Sequence, residues 1–304
     1  MTTTALHANE TALVTNDKPV LIASNAVESA ATAKWLTTDN LTSGTDRVLA
    51  TAPIKRVYDR HLHLQSQPGT SPTSGTWYLS FDLGSSVADY DCAIIAGHNF
   101  GTIGSLTTCT IEIGTDATFG SVTTIATFTP GTSNKRLVSF FGSRYSGEQF
   151  VRIKMVKGSD IIPKIGEFWL GRRRHLPYNF DTSLDDLRTS SEVVVFRSRS
   201  GVQTNYIMSR GQQRRAGTLL LDDTAVRLGF LVSDATEERT ITQFWSECNQ
   251  GTKAVMFCAL PAAAPADVQL MNQNPELDFS IVGPTTRRLN LDLHEAAPFV
   301  ALES

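Results

Sequence analysis

Short apolar segments separated by turn-forming residues make up the first half of the chain. Almost all of them are four to eight residues long, and Gly, Pro, Asn, Asp or Ser lies between them. Several alternate apolar and polar positions, as strands do when one face is buried. The pattern predicts an antiparallel β-sandwich over residues 20–171. Its segments are VLIAS, TWYLSFDL, CAIIAGHNF, CTIEIGTD, TTIATF, RLVSFF, FVRIKMV and IGEFWLG.

The pattern breaks at residues 172–191, where charge, proline and asparagine replace the alternation, and we interpret this stretch as a linker. Strand-like segments resume over residues 192–304. Within them, Glu237 to Cys248 carries apolar residues at i, i+3, i+4 and i+7, the stripe of an amphipathic helix. Residues 1–19 are polar and lack periodicity. The sequence therefore predicts a mainly β protein with a flexible N-terminal arm, a sandwich, a linker and a second β-rich domain with one helix.

Composition narrows the class of protein. Hydrophobic residues make up 41% of the chain and charged residues 19%, which is typical of a globular protein and not of a disordered one. No apolar run approaches the ~20 residues that span a bilayer, and the N-terminus lacks the features of a signal peptide. We expect an intracellular protein without a membrane span. Four cysteines stand singly in apolar runs, which favours buried thiols over a zinc or redox site: Cys92, Cys109, Cys248 and Cys258.

Charge is distributed unevenly along the chain. Residues 172–215 hold nine basic and four acidic residues, a net charge of +5, whereas residues 216–304 hold five basic and twelve acidic residues, a net charge of −7. These opposite charges suit head-to-tail contacts between copies as well as they suit nucleic acid. A pI near 6.1 argues against a dedicated DNA-binding domain, so nucleic acid is an unlikely partner. The interface candidates are Arg172, Arg173 and Arg174, because arginine pairs well with carboxylates. The alternative interpretation of this run is a solvated junction.

Sequence motifs of catalysis are absent. The chain has no G-x-S-x-G elbow, no G-x-x-x-x-G-K-[ST] phosphate loop, no G-x-G-x-x-G after a strand and no H-E-x-x-H. The paired aspartates at residues 185–186 and 222–223 lie at turn-like ends of apolar runs, where aspartate bonds to backbone. A zinc site formed by His61, His63 and His98 would lack a fourth ligand nearby in the sequence. We therefore expect no catalytic residues, no cofactor and no metal.

The order of segments in the first half resembles that of the discoidin, or coagulation factor C-type, domain, a galactose-binding-like jelly roll. The resemblance covers about Ala23 to Gly171 and implies an eight-stranded sandwich. In such a fold Asp82 ends a strand and accepts backbone N–H groups of the next turn, Glu167 could pair with Arg152, and Trp77 and Trp169 are core residues. The matching segments are TWYLSFDLG, CAIIAGHNFG, CTIEIGTDATFGSVTTIATF and RYSGEQFVRIKMVKGSDIIPKIGEFWLG.

Many members of the discoidin family bind sugars, phospholipid heads or calcium through loops at one end of the barrel. The corresponding long loop begins YDRHLHLQ. Its ligand candidates are Tyr58, Arg60, His61 and His63. The loop lacks a cluster of aromatic residues and the several carboxylates that a calcium site needs, so the resemblance does not bring a particular ligand with it.

Three segments close the second half of the chain: FWSECNQGTKAVMFCALPA, VQLMNQN and LDFSIVGPTTRRLNLDLHEA. Together they resemble the closing segment of tail and baseplate proteins of long-tailed bacteriophages, including the distal tail family. This resemblance implies a structural virion protein, a tail-tip or baseplate ring subunit that forms a homo-oligomer and contacts other tail proteins. Its location would be the virion tail, after assembly in the host cytoplasm. The alternatives are a carbohydrate-binding module that attaches to a host-surface glycan and a glycan-processing accessory enzyme.

Overall fold

The computed structural model shows a mainly β chain whose described strands form three antiparallel sheets. It describes residues 2–5, 18–38, 45–60, 62, 64–69, 75–85, 89–103, 106–130, 136–157, 162–176, 188–197, 203–222, 248, 252–273, 278–281 and 286–295. The strands are β1 (Thr2–Ala5), β2 (Val20–Ile22), β3 (Thr32–Thr37), β4 (Gly75–Asp82), β5 (Tyr90–Ala96), β6 (Leu106–Gly114), β7 (Val122–Phe128), β8 (Leu137–Ser146), β9 (Phe150–Lys157), β10 (Glu167–Gly171), β11 (Arg174–His175), β12 (Arg188–Arg197), β13 (Gln203–Asp222), β14 (Val255–Cys258), β15 (Gln269–Gln273), β16 (Asp278–Ile281) and β17 (Thr286–Glu295).

Helical structure in the described residues is limited to single turns. Three are 3₁₀ turns, at Ala26–Ser29, Ile54–Val57 and Pro265–Asp267, and one is α-helical, at Phe100–Ile103. No helix in this part of the chain is long and apolar enough to cross a membrane. The predicted amphipathic helix lies outside the described residues apart from Cys248.

Two sheets pack face to face as the predicted sandwich. The front sheet has the order β3-β4-β9-β6-β7, and the middle sheet has the order β1-β8-β5-β10. Alternate residues of each strand point between them, as the period of two requires. The antiparallel sandwich predicted from the sequence is therefore confirmed. Large side chains that fill this core include Trp35, Trp77, Leu79, Phe81, Ile95, Ile111, Ile153, Phe168 and Leu170.

Strands β5 and β10 of the middle sheet are buried on both of their faces. The positions of β5 and β10 that do not enter the sandwich core, such as Cys92, Ile94 and Trp169, pack with Val20 and Met256 in a second core. That second core lies against the back sheet, whose order is β11-β2-β14-β15-β17-β13-β12 with β16 on β17. Burial on both faces explains why β5 reads as a nearly continuous apolar run instead of alternating.

The back sheet joins distant parts of the sequence. Strand β2 pairs with β14, placing Leu21 opposite Phe257, and strand β11 pairs with β2 on its other edge. Residues 20–22 thus share a sheet with residues 255–258 although the sequence assigns them to different domains. Strand β1 lies within the predicted flexible arm and pairs with β8 at the edge of the middle sheet. The division into domains at residues 171 and 192 stays a prediction.

Asp82 has the structural role that the sequence predicts. Its Oδ1 accepts the backbone N–H of Gly84 at 2.9 Å and the side-chain amide of Gln149 at 2.8 Å. The carboxylate therefore closes the turn after β4 and ties it to the start of β9. The four cysteines are free and buried, as expected of small apolar side chains.

Candidate functional site

A cavity of about 510 Å³ lies between the loop at residues 58–60 and the back sheet. Of the ligand candidates named from the sequence, Tyr58 and Arg60 line it, while His61 and His63 lie outside the described residues. Asp59 of the same loop also lines it, and the remaining lining residues come from an early 3₁₀ turn and from the second half of the chain. The lining consists of Glu28, Tyr58, Asp59, Arg60, Thr252, Lys253, Ala254 and Asn272.

Two close backbone approaches hold the loop that carries Tyr58 and Arg60. A Cβ added at Gly97 would lie 2.2 Å from the carbonyl oxygen of Leu62, and one at Gly166 would lie 2.3 Å from the same oxygen. Since no side chain fits there, only glycine lets the loop sit against the ends of β5 and β10. Ser66 then exchanges two backbone hydrogen bonds with Ile165, at 2.8 and 3.1 Å.

Arg60 joins the sandwich to the back sheet. Its guanidinium donates to the Glu28 carboxylate and to the backbone oxygens of Ala254 and Ala23, and its Cζ lies 4.6 Å from the ring centroid of Trp169. Its backbone has a φ of 63°, in the left-handed region that non-glycine residues seldom adopt. These contacts assign Arg60 a positioning role: it holds the wall of the cavity together.

Glu167 lies directly beneath this loop and is fully buried. Its Oε2 accepts the backbone N–H of Arg60 at 3.0 Å, and its Oε1 has no hydrogen-bond partner among the described residues. Burial and, to a lesser extent, the Asp59 carboxylate raise the pKa of Glu167 from its usual 4.5 to about 9, against the lowering effect of Arg60. The side chain is therefore protonated at neutral pH.

The predicted pairing of Glu167 with Arg152 is wrong. Strand β10 lies in the middle sheet, next to β5, whereas Arg152 lies on β9 in the front sheet. The register there places Glu112 directly opposite Arg152, and the two side chains form a buried ion pair with a nitrogen–oxygen distance of 2.6 Å. The ion-pair partner of Arg152 therefore follows from which strand lies next to β9 and not from closeness in the sequence.

The cavity wall offers balanced charge and several hydrogen-bonding groups. Glu28 and Asp59 contribute two carboxyl groups, and Arg60 and Lys253 contribute two cations, so the formal charges cancel. Thr252, Asn272 and Tyr58 add three polar side chains, one of them aromatic, to the lining. Burial raises the pKa of Tyr58, which keeps its hydroxyl neutral. Among the described residues no group of three or more His, Cys, Asp or Glu could hold a metal ion.

The arginine run is not a solvated junction, which corrects that interpretation of the sequence. Arg172, Arg173 and Arg174 are only 5%, 4% and 7% exposed. The backbone N–H of Arg173 donates to Asp91 at 2.8 Å, its side-chain Nε lies 3.3 Å from the same carboxylate, and its Nη2 donates to the Phe141 carbonyl at 2.8 Å. These contacts fasten the chain to the middle sheet as it leaves β10. Contact of this run with a partner chain stays a prediction.

Sequence reasoning missed the part of the cavity that comes from elsewhere in the chain. Glu28 lies in the 3₁₀ turn before β3, and Thr252, Lys253 and Asn272 lie more than 190 residues beyond Arg60. No local pattern marks these residues, because the pairing of β2 with β14 and the packing of the second core bring the two halves together. Asp59 lay between two named candidates and could have been included with them.

No family model and no curated protein matches the chain. Solved structures similar to part of it include chitosan-binding module 1 from the chitosanase/glucanase of Paenibacillus sp. IK-5, at 17% identity and a TM-score of 0.36, covering 48% of this chain and 98% of that module. Another is the family 32 carbohydrate-binding module of Clostridium perfringens NanJ in complex with galactose, at 16% identity and a TM-score of 0.34, covering 50% and 98%. Likenesses this distant decide neither the family of the chain nor its ligand.

Proposed function

We propose that this chain is a non-catalytic saccharide-binding protein with a galactose-binding-like sandwich, and that its ligand occupies the cavity beside Tyr58. The observation that carries the proposal is the composition of the cavity wall. The lining includes one aromatic side chain, a type that stacks on the apolar side of sugar rings, together with carboxylate, amide and hydroxyl side chains, which bond sugar hydroxyls. Clefts between packed units are common positions for such sites.

The ligand class follows from the charge of the wall. Because two carboxyl groups and two cations cancel, the cavity does not favour a polyanion such as a uronic acid polymer. We therefore propose an uncharged hexose or a short oligosaccharide of such units. Attachment to a host-surface or cell-wall glycan is the role that this binding would serve.

Turnover of the sugar is not part of the proposal. Glycoside hydrolysis needs a protonated carboxyl group facing the bond to be broken, together with a second carboxylate. The Glu28 carboxylate is engaged by Arg60, and the protonated carboxyl of Glu167 lies beneath the loop and does not line the cavity. This arrangement supports binding without cleavage.

The test is a titration of the full chain with a panel of neutral sugars by calorimetry, after a glycan array has chosen the strongest ligand. We expect Tyr58→Ala to weaken binding about tenfold or more and Tyr58→Phe to change it less than about threefold, since the ring is kept. Asn272→Ala should also weaken binding. Lys55→Ala is the matched control, because Lys55 is exposed, lies three residues before Tyr58 and does not line the cavity. Absence of binding, or binding that Tyr58→Ala leaves unchanged, would refute the proposal.

A second candidate function is assembly into the tail tip or baseplate of a tailed bacteriophage, located in the virion tail. The resemblance of the closing segment supports it, and so does strand β13, whose twenty residues are far longer than an ordinary strand and suit an assembly element. Mass spectrometry of purified particles, followed by antibody labelling, tests this candidate. Absence of the chain from particles whose genome encodes it would remove the candidate without affecting the saccharide proposal.

A further inference from the structure

Strands β12 and β13 form a ribbon that extends beyond the rest of the back sheet. Arg214 to Asp222 of β13 pairs with β17, but residues 203–213 pair with β12 and with no other described strand. Strand β12 in turn pairs with β13 alone among the described strands. At about 3.4 Å per residue, the two-stranded part is about 34 Å long.

A ribbon of two strands is marginally stable by itself, and the outer edge of β12 pairs with none of the described strands. This ribbon also carries apolar residues at consecutive register positions: Val193 lies opposite Ile207, and Val194 lies opposite Tyr206. Consecutive positions of a strand belong to opposite faces, so both faces include apolar positions. A ribbon of this kind gains stability when another surface covers it.

The charge of the ribbon points to the nature of that surface. Residues 188–215 contain six arginines and one glutamate, a net charge of +5. Arg172, Arg173 and Arg174, the first three basic residues of the stretch 172–215, are buried. The other six basic residues of that stretch belong to the ribbon and its connecting loop. Residues 216–304 carry a net charge of −7. One chain thus contains a basic ribbon and an acidic region of similar magnitude.

We propose that the ribbon formed by β12 and β13 docks on the acidic second half of another copy of this chain. Complementary charge on one sequence favours a head-to-tail contact between copies, in which each copy supplies one ribbon and one acidic region of sequence. Nucleic acid fits less well, because the chain as a whole has a net charge of −3 and would be repelled by phosphate. The proposal does not rest on the saccharide cavity. It supplies a surface for the assembly candidate but holds equally for a chain that associates outside any virion.

The first experiment measures self-association of the full chain by sedimentation equilibrium at about 0.05 M and about 0.5 M salt. We expect the wild type to associate at low salt and the double variant Arg197→Glu/Arg210→Glu to associate at least about tenfold more weakly. The matched control is Arg47→Glu/Lys55→Glu, which makes the same change in net charge at two exposed positions of the first half. The control should associate like the wild type. Thermal melts of each variant establish that the fold is kept.

The second experiment locates the contact. In the variant Arg197→Lys/Arg210→Lys, the charge is kept and a carbodiimide can join lysine to a neighbouring carboxylate. Mixing ¹⁴N- and ¹⁵N-labelled chains before cross-linking separates contacts between copies from contacts within one copy. We expect mixed-isotope cross-links from positions 197 or 210 to acidic residues of 216–304. A monomeric wild type at low salt, equal association of the two charge-reversal variants, or cross-links within single copies only would overturn the proposal. Binding of duplex DNA by a monomeric wild type would assign the ribbon to nucleic acid instead.

Discussion

Two arginines of this protein each lie over an aromatic ring and beside a different buried glutamate. Only one of them bonds its glutamate through the guanidinium. On the front sheet, Arg152 lies between the rings of Tyr78 and Phe119, with its Cζ 4.6 and 4.4 Å from their centroids. Its Nε and Nη2 donate to Oε2 of Glu112 at 2.7 and 2.6 Å. Each charge therefore has its partner inside a largely dry environment.

The guanidinium of the other arginine, Arg60, contacts groups other than its neighbouring buried glutamate. Arg60 lies over Trp169, but it donates to Glu28 and to backbone carbonyls and offers Glu167 only its backbone N–H. Burial, which Arg60 offsets only in part, raises the pKa of Glu167 to about 9, so this carboxyl keeps its proton. The comparison teaches that an arginine nearby does not by itself settle the charge of a buried carboxyl group. The direction of the guanidinium also matters, and strand register controls that direction on a sheet but not on a loop.

Breaking the pair on the front sheet should have the largest effect. Arg152→Met leaves the Glu112 carboxylate buried with Lys154, 3.5 Å away and partly exposed, as its remaining ion-pair partner among the described residues. We expect a loss of about 3 to 5 kcal/mol in the free energy of unfolding, because an uncompensated buried charge is costly. Urea denaturation measures this loss.

The double variant Arg152→Met/Glu112→Leu serves as the control for that prediction. With both charges replaced by apolar groups, most of the lost stability should return, to within about 2 kcal/mol of the wild type. If the double variant is as unstable as the single one, the aromatic stacking around Arg152 matters more than the ion pair.

The protonated carboxyl of Glu167 predicts that the free energy of unfolding depends on pH. Above pH 4.5 the unfolded chain ionises this group, whereas the folded chain keeps its proton up to about pH 9, so folding takes up a proton in this window. The contribution of Glu167 to stability therefore falls as pH rises through the window. Relative to Glu167→Gln, the wild type should lose roughly 2 to 4 kcal/mol between pH 5 and pH 8. Parallel stability profiles for the two proteins would show that the carboxyl is ionised in the fold.

The smallest effect should come from the backbone of Arg60. Arg60→Ala and Arg60→Gly both remove the guanidinium and its contacts with Glu28, Ala23 and Ala254, so both should lower stability. Glycine accepts the left-handed φ of 63° without strain, and we expect it to be more stable than alanine by about 1 kcal/mol. Thermal melting of the two variants side by side measures this difference. A more stable alanine variant would mean that the loop leaves the left-handed conformation once the guanidinium is gone.

Local features of the fold could be predicted from the sequence, and Asp82 shows why. The carboxylate bonds to the backbone two residues further on, so the aspartate and the following glycine suffice to predict the closed turn. The same holds for strand β4, whose pattern of apolar residues defines both its length and its buried face. The contact of Asp82 with Gln149 depends on the pairing of β4 with β9, so the residues next to Asp82 in the sequence do not predict it.

Only the part of the candidate site that lies in one loop could be predicted from the sequence, because the rest depends on pairing between distant strands. Tyr58 and Arg60 stand in a polar loop between strands and could be named as ligand candidates from the sequence. Lys253 and Asn272 complete the cavity, and Ala254 accepts from Arg60, only because β2 pairs with β14 and carries the second half of the chain to that loop. When two paired strands lie more than 230 positions apart, the sequence of neither strand identifies its partner.

The sequence by itself determined where most strands of the sandwich lie and how the turn after β4 is closed, since these depend on neighbours within a few residues. Tertiary structure alone decided which strands are adjacent: it placed β6 beside β9, and so gave Arg152 the partner Glu112 in place of Glu167. It also buried Arg172, Arg173 and Arg174, which the sequence presents as a polar junction. The physical reason is that a period of two specifies the faces of a strand but is the same for every possible partner, so strand order follows from packing of the whole chain.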